Sequence, residues 1–158
     1  MSNILLGDKM LCCTFAGHRE ILHKGVKESV ERELHALMER DSEFRFYVGR
    51  EGEFDLLSAQ LVRQLKGQRP EKQIHLILAE PYMKQSINTD GKWLSDRYDD
   101  IIIPEGLLGI HYKAAIRKRN QWMIDHSQIL IAYVRKDHGG AFTSLTYAQR
   151  RGLNVIRI

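Results

Sequence analysis

The feature that most constrains this chain is a regular alternation of short apolar runs with stretches of helical period. Leu11 to Ala16, Phe44 to Val48, Ile74 to Ala79, Gln128 to Val134 and Asn154 to Ile158 are short, near-continuous apolar runs. The first is stopped by Gly17, the second by Gly49, and the third ends just before Pro81. Between them, apolar residues recur at helical spacing: Val26, Val30, Leu34, Leu37 and Met38 in one segment, Phe54, Leu57, Leu61, Val62 and Leu65 in the next. Gly67 and Pro70 end the second of these. A helix is predicted over about 111–126, with Tyr112, Ala115, Ile116 and Met123 facing inward. Gly139-Gly140 opens a last helix that runs to about Arg151 and is capped by Gly152. Strands that are apolar throughout are covered on both faces, and helices between them imply parallel crossover connections. The sequence therefore predicts one Rossmann-like domain over 1–158, a three-layer α/β/α fold with a mainly parallel sheet. The stretch from Tyr82 to about Gly109 is less regular, with a turn signal at Asn88-Thr89-Asp90-Gly91 and the run Ile101-Ile102-Ile103 before Pro104.

A chain of 158 residues can bury a sufficient core without a metal or disulfide staple. Ile4-Leu5-Leu6 is too short for a signal-peptide core, and no run approaches the roughly 18 apolar residues of a membrane helix. Cys12 and Cys13 are adjacent, so on a strand they point to opposite faces and do not readily pair. A reduced, cytoplasmic protein with no membrane partner is expected. The net charge of +4 is a modest excess. The basic runs Lys113, Arg117, Lys118 and Arg150-Arg151 read first as solvated helix faces. With no Arg/Lys-rich tail and no aromatic–basic ribbon, nucleic acid is expected to rank below a small phosphorylated ligand as partner.

Ligands of open parallel sheets bind beyond the carboxyl ends of the strands, where loops enter helix N-termini. Three loops there are polar and carry glycine: Gly17-His18-Arg19-Glu20, Gly49-Arg50-Glu51-Gly52-Glu53-Phe54-Asp55, and Asp137-His138-Gly139-Gly140-Ala141-Phe142-Thr143. Glycine lets backbone approach a phosphate, and a helix start offers unpaired N–H groups with partial positive charge. Arg19 can add a bidentate guanidinium contact, and Thr143 a hydroxyl. Neither a P-loop nor a G-x-G-x-x-G fingerprint is present.

Asp55, Glu53 and Glu20 are the candidate catalytic carboxylates, able to bond a ribose hydroxyl or assist cleavage of an N-glycosidic bond. Asp55 also suits a plain helix-start charge. Arg119-Asn120 is either part of the surface run Arg117-Lys118-Arg119 or an inward pair, which would be costly unless it met a ligand or partner carboxylate. His18 and His23 are five positions apart, no Cys/His cluster has metal-ligand spacing, and no metal is expected. Trp93 reads as a packing residue or a base-stacking one.

The ordered set Cys13-Thr14-Phe15-Ala16-Gly17-His18-Arg19, Tyr47-Val48-Gly49, Gly52-Glu53-Phe54-Asp55, Tyr98 to Pro104, Arg119-Asn120-Gln121-Trp122-Met123 and Gly139-Gly140 resembles the SLOG superfamily. This Rossmann-like group includes DprA and the LOG proteins, and the pattern is most similar to its YpsA-type bacterial or prophage branch. The resemblance implies a nucleotide or nucleotide-derived ligand held by Gly17, His18, Arg19, Gly49, Gly52, Asp55, Gly139, Gly140 and Thr143, with Arg119 and Asn120 matching the Arg-Asn pair of that branch. It also admits a protein partner and a homodimer. LOG enzymes carry Pro-Gly-Gly-x-Gly-Thr-x-x-Glu, and here His138 replaces the proline, Phe142 the third glycine and Thr146 the hydrolytic glutamate. The leading expectation is thus a sensor-like nucleotide-binding domain. An N-glycosidic hydrolase and a single-stranded DNA-binding module related to DprA are the alternatives.

Overall fold

The computed structural model describes residues 10–83 and 91–158. The run Ile4-Leu5-Leu6 and positions 88–90 of the turn signal lie outside the described residues. The strands are β1 (Met10–Gly17), β2 (Glu43–Val48), β3 (Gln73–Ala79), β4 (Asp100–Ile102), β5 (Ile129–Tyr133) and β6 (Asn154–Arg157). The helices are α1 (Val26–Leu37), α2 (Glu53–Gln68), α3 (Gly91–Arg97), α4 (Tyr112–Asp125) and α5 (Gly140–Arg150). Among the described residues the strands form one sheet in the order β4-β3-β2-β1-β5-β6, every pairing parallel. The fold is the expected three-layer α/β/α arrangement.

Alternation along the strands decides what each face packs against. Cys13 and Phe15 of β1, Phe44, Phe46 and Val48 of β2, and Leu76 and Leu78 of β3 meet Val30, Leu34, Phe54, Val62 and Leu65 from α1 and α2. On the other face, Ala16, Leu130 and Ala132 meet Ile124 of α4 and Leu145 and Ala148 of α5. Tyr47, Ile77 and Ala79 meet Met123 of α4. The two cysteines fall on opposite faces, Cys13 in the first core and Cys12 against the last cluster. Burial pushes the Cys13 thiol up to about 12.

In the irregular segment, Leu94 of α3 and Tyr98 are drawn into the first core, with the Arg63 guanidinium 5.3 Å from the Tyr98 ring centre. Trp93 is half exposed and lies under Arg97 at 4.1 Å. The inner face of α4 differs from the expected one. Tyr112 is exposed, and the buried row is Ala115, Arg119 and Met123 at i, i+4 and i+8. An arginine takes the place in the stripe that an apolar residue would fill, which apolar periodicity alone cannot reveal.

Two glycines are required by close approach. A Cβ on Gly17 would lie 2.3 Å from the Phe54 ring, so the end of β1 can rest on α2 only as glycine. A Cβ on Gly52 would lie 2.6 Å from the Cα of Arg19, holding the loops after β1 and β2 together. The Glu53 N–H donates to the Arg19 carbonyl at 2.9 Å across the same junction. Gly17→Ala is expected to cost about 1–3 kcal/mol as an overpacking change. A thermal melt should show a fall of several degrees; an unchanged midpoint would contradict this contact.

Candidate functional site

The sheet order reverses at β1, whose neighbours are β2 on one side and β5 on the other. The chain leaves β1 for α1 on one face and β5 for α5 on the opposite face. A crevice must open between the two departing loops. It is occupied by a cleft of about 420 Å³.

Most of the predicted residues line it. Gly17, His18, Arg19 and the candidate carboxylate Glu20 come from the β1 loop, Gly52 and Asp55 from the start of α2. Arg119 and Asn120 come from α4, Gly139 and Gly140 from the start of α5. Three others lie outside the lining. Gly49 sits behind the wall: its Cβ position is 3.0 Å from the Asp55 Oδ2 and 3.1 Å from the Arg119 guanidinium, so a side chain there would force these two groups aside. Thr143 turns its hydroxyl back to the Gly139 carbonyl at 3.0 Å, and Ser144, one position on, lines the cleft in its place. Glu53 accepts the Ile21 N–H at 3.3 Å and so braces the β1 loop.

Arg119 is buried, its residue 1% exposed, and each of its three guanidine nitrogens donates a hydrogen bond. Nη1 donates to the Ala79 carbonyl at 2.6 Å, Nη2 to Glu51, and Nε to the Asn120 Oδ1 at 2.9 Å. Of the two readings open for this arginine, the inward one holds. Its carboxylate partner is Glu51, from the loop after β2. Because the Asn120 oxygen accepts from Arg119, its amide N–H groups are left for the cleft. Asp55 shares the neighbourhood, its Oδ2 accepting the Glu51 N–H at 3.3 Å. Burial pushes its carboxyl up to about 6, against the lowering pull of Arg119 and with a further rise from Glu51. The floor thus holds two carboxylates about one guanidinium, and one of them can exchange a proton near neutral pH.

The opposite wall is cationic. Arg135, Lys136 and His138 follow β5 and join Arg19 around the mouth. His18 Nε2 accepts the Arg135 N–H at 2.8 Å, which leaves the proton of the neutral ring on Nδ1. Burial, with Lys136 and neighbouring cations, lowers its pKa and favours that neutral form. Tyr133 underlies the loop. Its hydroxyl accepts from the Leu22 N–H at 3.2 Å and shares a hydrogen bond with the His23 Nδ1 at 2.6 Å. The first turn of α5 completes the wall, with Gly139 at φ 92°, a conformation that favours glycine. Sequence reasoning missed Tyr133, Arg135, Lys136 and Ser144 because it followed glycines. The signal for Ser144 was available: in a helix starting at Gly140, residues 140, 141 and 144 share a face and 143 turns from it.

The wall of cations, amide N–H groups and a helix start can hold an anion, while the carboxylate floor can accept hydrogen bonds from hydroxyl or amino groups. Among the described residues no group of three or more His, Cys, Asp or Glu side chains could hold a metal, and no helix is long and apolar enough to cross a membrane.

Two outcomes follow from the floor. The Asp55 carboxyl is held above its ordinary value of 3.8, so the folded state favours the protonated form and loses stability as pH rises from about 4 to about 6. Asp55→Asn is expected to be more stable than the wild type at pH 7–8 by about 2 kcal/mol, with the difference vanishing by about pH 4. Melts across that range that show a constant difference would refute the raised carboxyl. Arg119→Ala removes the only cation from a buried ion pair and is expected to cost about 3–5 kcal/mol, read as the shift in the urea midpoint.

No protein-family model matches the chain, and no curated protein matches it in sequence. Solved structures do match in fold. DNA processing protein A (DprA) from Streptococcus pneumoniae superposes with a TM-score of 0.68 at 18% identity, over 94% of this chain and 50% of that protein. DNA processing protein A from Helicobacter pylori, described for its single-stranded DNA binding mode, superposes with a TM-score of 0.64 at 15% identity, over 97% of this chain and 67% of that one. The chain thus spans half the length of the pneumococcal protein. The expectation that nucleic acid ranks below other partners is overturned, because both of these similar structures are DNA-processing proteins. Modest net charge was a poor guide, since it does not say where the cations stand, and Arg19, Arg135 and Lys136 share one cleft. The chain has the Rossmann-like fold of the DprA proteins, with its cleft at the point where the strand order reverses.

Proposed function

We propose that this domain binds single-stranded DNA, with the strand entering the cleft between β1 and β5. The observation that carries the reading is the group of cations at that cleft: Arg19, Arg135, Lys136 and the α5 N-terminus gather on a solvent-accessible mouth, where Glu20 is the one carboxylate among them. A phosphodiester is the anion such a wall suits, and the Asn120 amide and the carboxylate floor offer polar partners to a sugar or base edge. The fold likeness to a protein described for single-stranded DNA binding supports the same reading. The resemblance to the SLOG superfamily and its YpsA-type branch fits a nucleotide-recognising cleft.

A second reading, a free nucleotide or nucleotide-derived ligand, is favoured by one specific feature. Asp55 and Glu51 face the cleft and suit the paired hydroxyls of a ribose, which DNA lacks.

Fluorescence anisotropy with a labelled oligothymidine of about 15 nucleotides tests the first reading. Affinity is expected to fall steeply between about 50 and 200 mM salt, as counterion release requires. Arg19→Ala combined with Lys136→Ala should weaken binding about tenfold or more and make the salt dependence shallower by about two ions. No binding at low salt would sink the reading. A thermal shift with ribonucleotides, abolished by Arg19→Ala, would then favour the second.

A further inference from the structure

The cleft accounts for the cations at the ends of β1 and β5 but not for those on α4. Lys113, Arg117 and Lys118 are all exposed, and none of their side chains makes an ion pair or hydrogen bond among the described residues. They occupy the N-terminal half of the helix, whose first turn has no acidic residue. This arrangement works against the helix. The macrodipole favours anions at that end, and Lys113 and Arg117, at i and i+4, repel each other. The one acidic residue of α4, Asp125, lies at its far end and is taken by Tyr147 at 2.8 Å and Arg151 at 3.0 Å. By contrast α1 mixes Lys27 and Arg32 with Glu28, Glu31 and Glu33, as a merely solvated helix face would.

Helical geometry places two of the three cations next to the cleft. Ile116 and Asn120 of α4 line it. At 3.6 residues per turn, Lys113 and Arg117 lie about 60° and 100° round the helix from Ile116, on the side of Ile124, which packs into the cluster shared with α5. Lys118 lies about 200° round, facing away. Lys113 and Arg117 are one turn apart, about 5–6 Å along the axis, and so line a path from the cleft along the α4 side that faces α5.

We propose that Lys113 and Arg117 form a phosphate track, along which the sugar–phosphate backbone of a single strand continues as it leaves the cleft. The proposal rests on the DNA-binding reading above and adds to it the direction of the strand and the part of the surface that makes affinity depend on length. The occupant is a polyanion in extended form because the track consists of cations at one-turn spacing whose side chains have no ion-pair partner among the described residues.

The test compares a thymidine oligonucleotide of about 3 residues with one of about 15 residues. Both are titrated against wild type, K113E/R117E and K118E. The track requires that K113E/R117E weaken the long strand tenfold or more, make its salt dependence shallower by about two ions, and leave the short strand unchanged. K118E, a reversal on the far side of the same helix, should leave both nearly unchanged. Because the reversal relieves the charge conflict at the helix start, K113E/R117E should also melt at or slightly above the wild-type temperature, which shows that it folds. Equal losses on both strands, or a K118E effect as large as that of the double variant, would mean general electrostatics and overturn the track. Wild-type binding of both lengths that survives K113E/R117E removes the track and keeps the cleft. Failure of the wild type to bind either strand removes the cleft reading, and the track with it.

Discussion

The Arg119 guanidinium ties together three segments that are far apart in the chain: the end of β3 through the Ala79 carbonyl, the loop after β2 through Glu51, and α4, which carries it. Burying a guanidinium is costly unless acceptors meet it, so these segments are held to one arrangement. Gly49 is glycine because Arg119 and Asp55 take the space of its side chain. Glu51 is fixed by the ion pair, and its backbone N–H then meets Asp55. The Asn120 amide is oriented by the same contact. Replacing such a centre by apolar residues often costs no stability, so its value lies in geometry: it specifies where the cleft floor stands.

The fold was legible because parallel strands covered on both faces leave a plain mark. Val26 to Leu37 and Phe54 to Leu65 each carry one apolar stripe, and the short run Phe44 to Val48 between them, stopped by Gly49, has the length of a buried strand. What was not legible traces to particular side chains. Arg119 occupies a core position that apolar periodicity assigns to no arginine, and its acceptor, Glu51, lies 68 positions away. Tyr112 looked like part of the stripe and is exposed. The loop residues at the cleft were found by their glycines, so the ones that contribute side chains without a glycine beside them, Tyr133 and Ser144, were passed over. Thr143 was chosen for its hydroxyl, but that hydroxyl is used inside the helix.

The distribution of charge, more than its amount, decides what the cleft can hold. A net charge of +4 on 158 residues describes a nearly neutral surface. Yet the cations of the β1 and β5 loops share one opening with Glu20, while Glu51 and Asp55 lie on its floor, Asp55 inclined to take up a proton. A cleft of this kind has polarity along its depth, anion-seeking at the mouth and hydrogen-bond accepting below. A phosphorylated ligand that enters sugar-first or base-first meets complementary groups at both levels. An anion without hydroxyl or amino groups satisfies only the mouth.

Coupling between the two levels follows from their distance and from linkage. When a phosphate settles among Arg19, Lys136 and the α5 start, its negative charge is added to a site that already holds Glu51 and Asp55 about a single guanidinium. The ionised form of Asp55 then becomes less favourable still, so anion binding draws a proton onto it. Reciprocity requires that protonation of Asp55 strengthen anion binding by the same factor. Affinity for a phosphate ligand should therefore increase as pH falls from about 7 to about 5, through the range in which Asp55 titrates. In Asp55→Asn the floor is permanently neutral and the dependence should flatten at the tighter limit. A titration series that shows the same slope in both proteins would mean that the effect does not pass through Asp55.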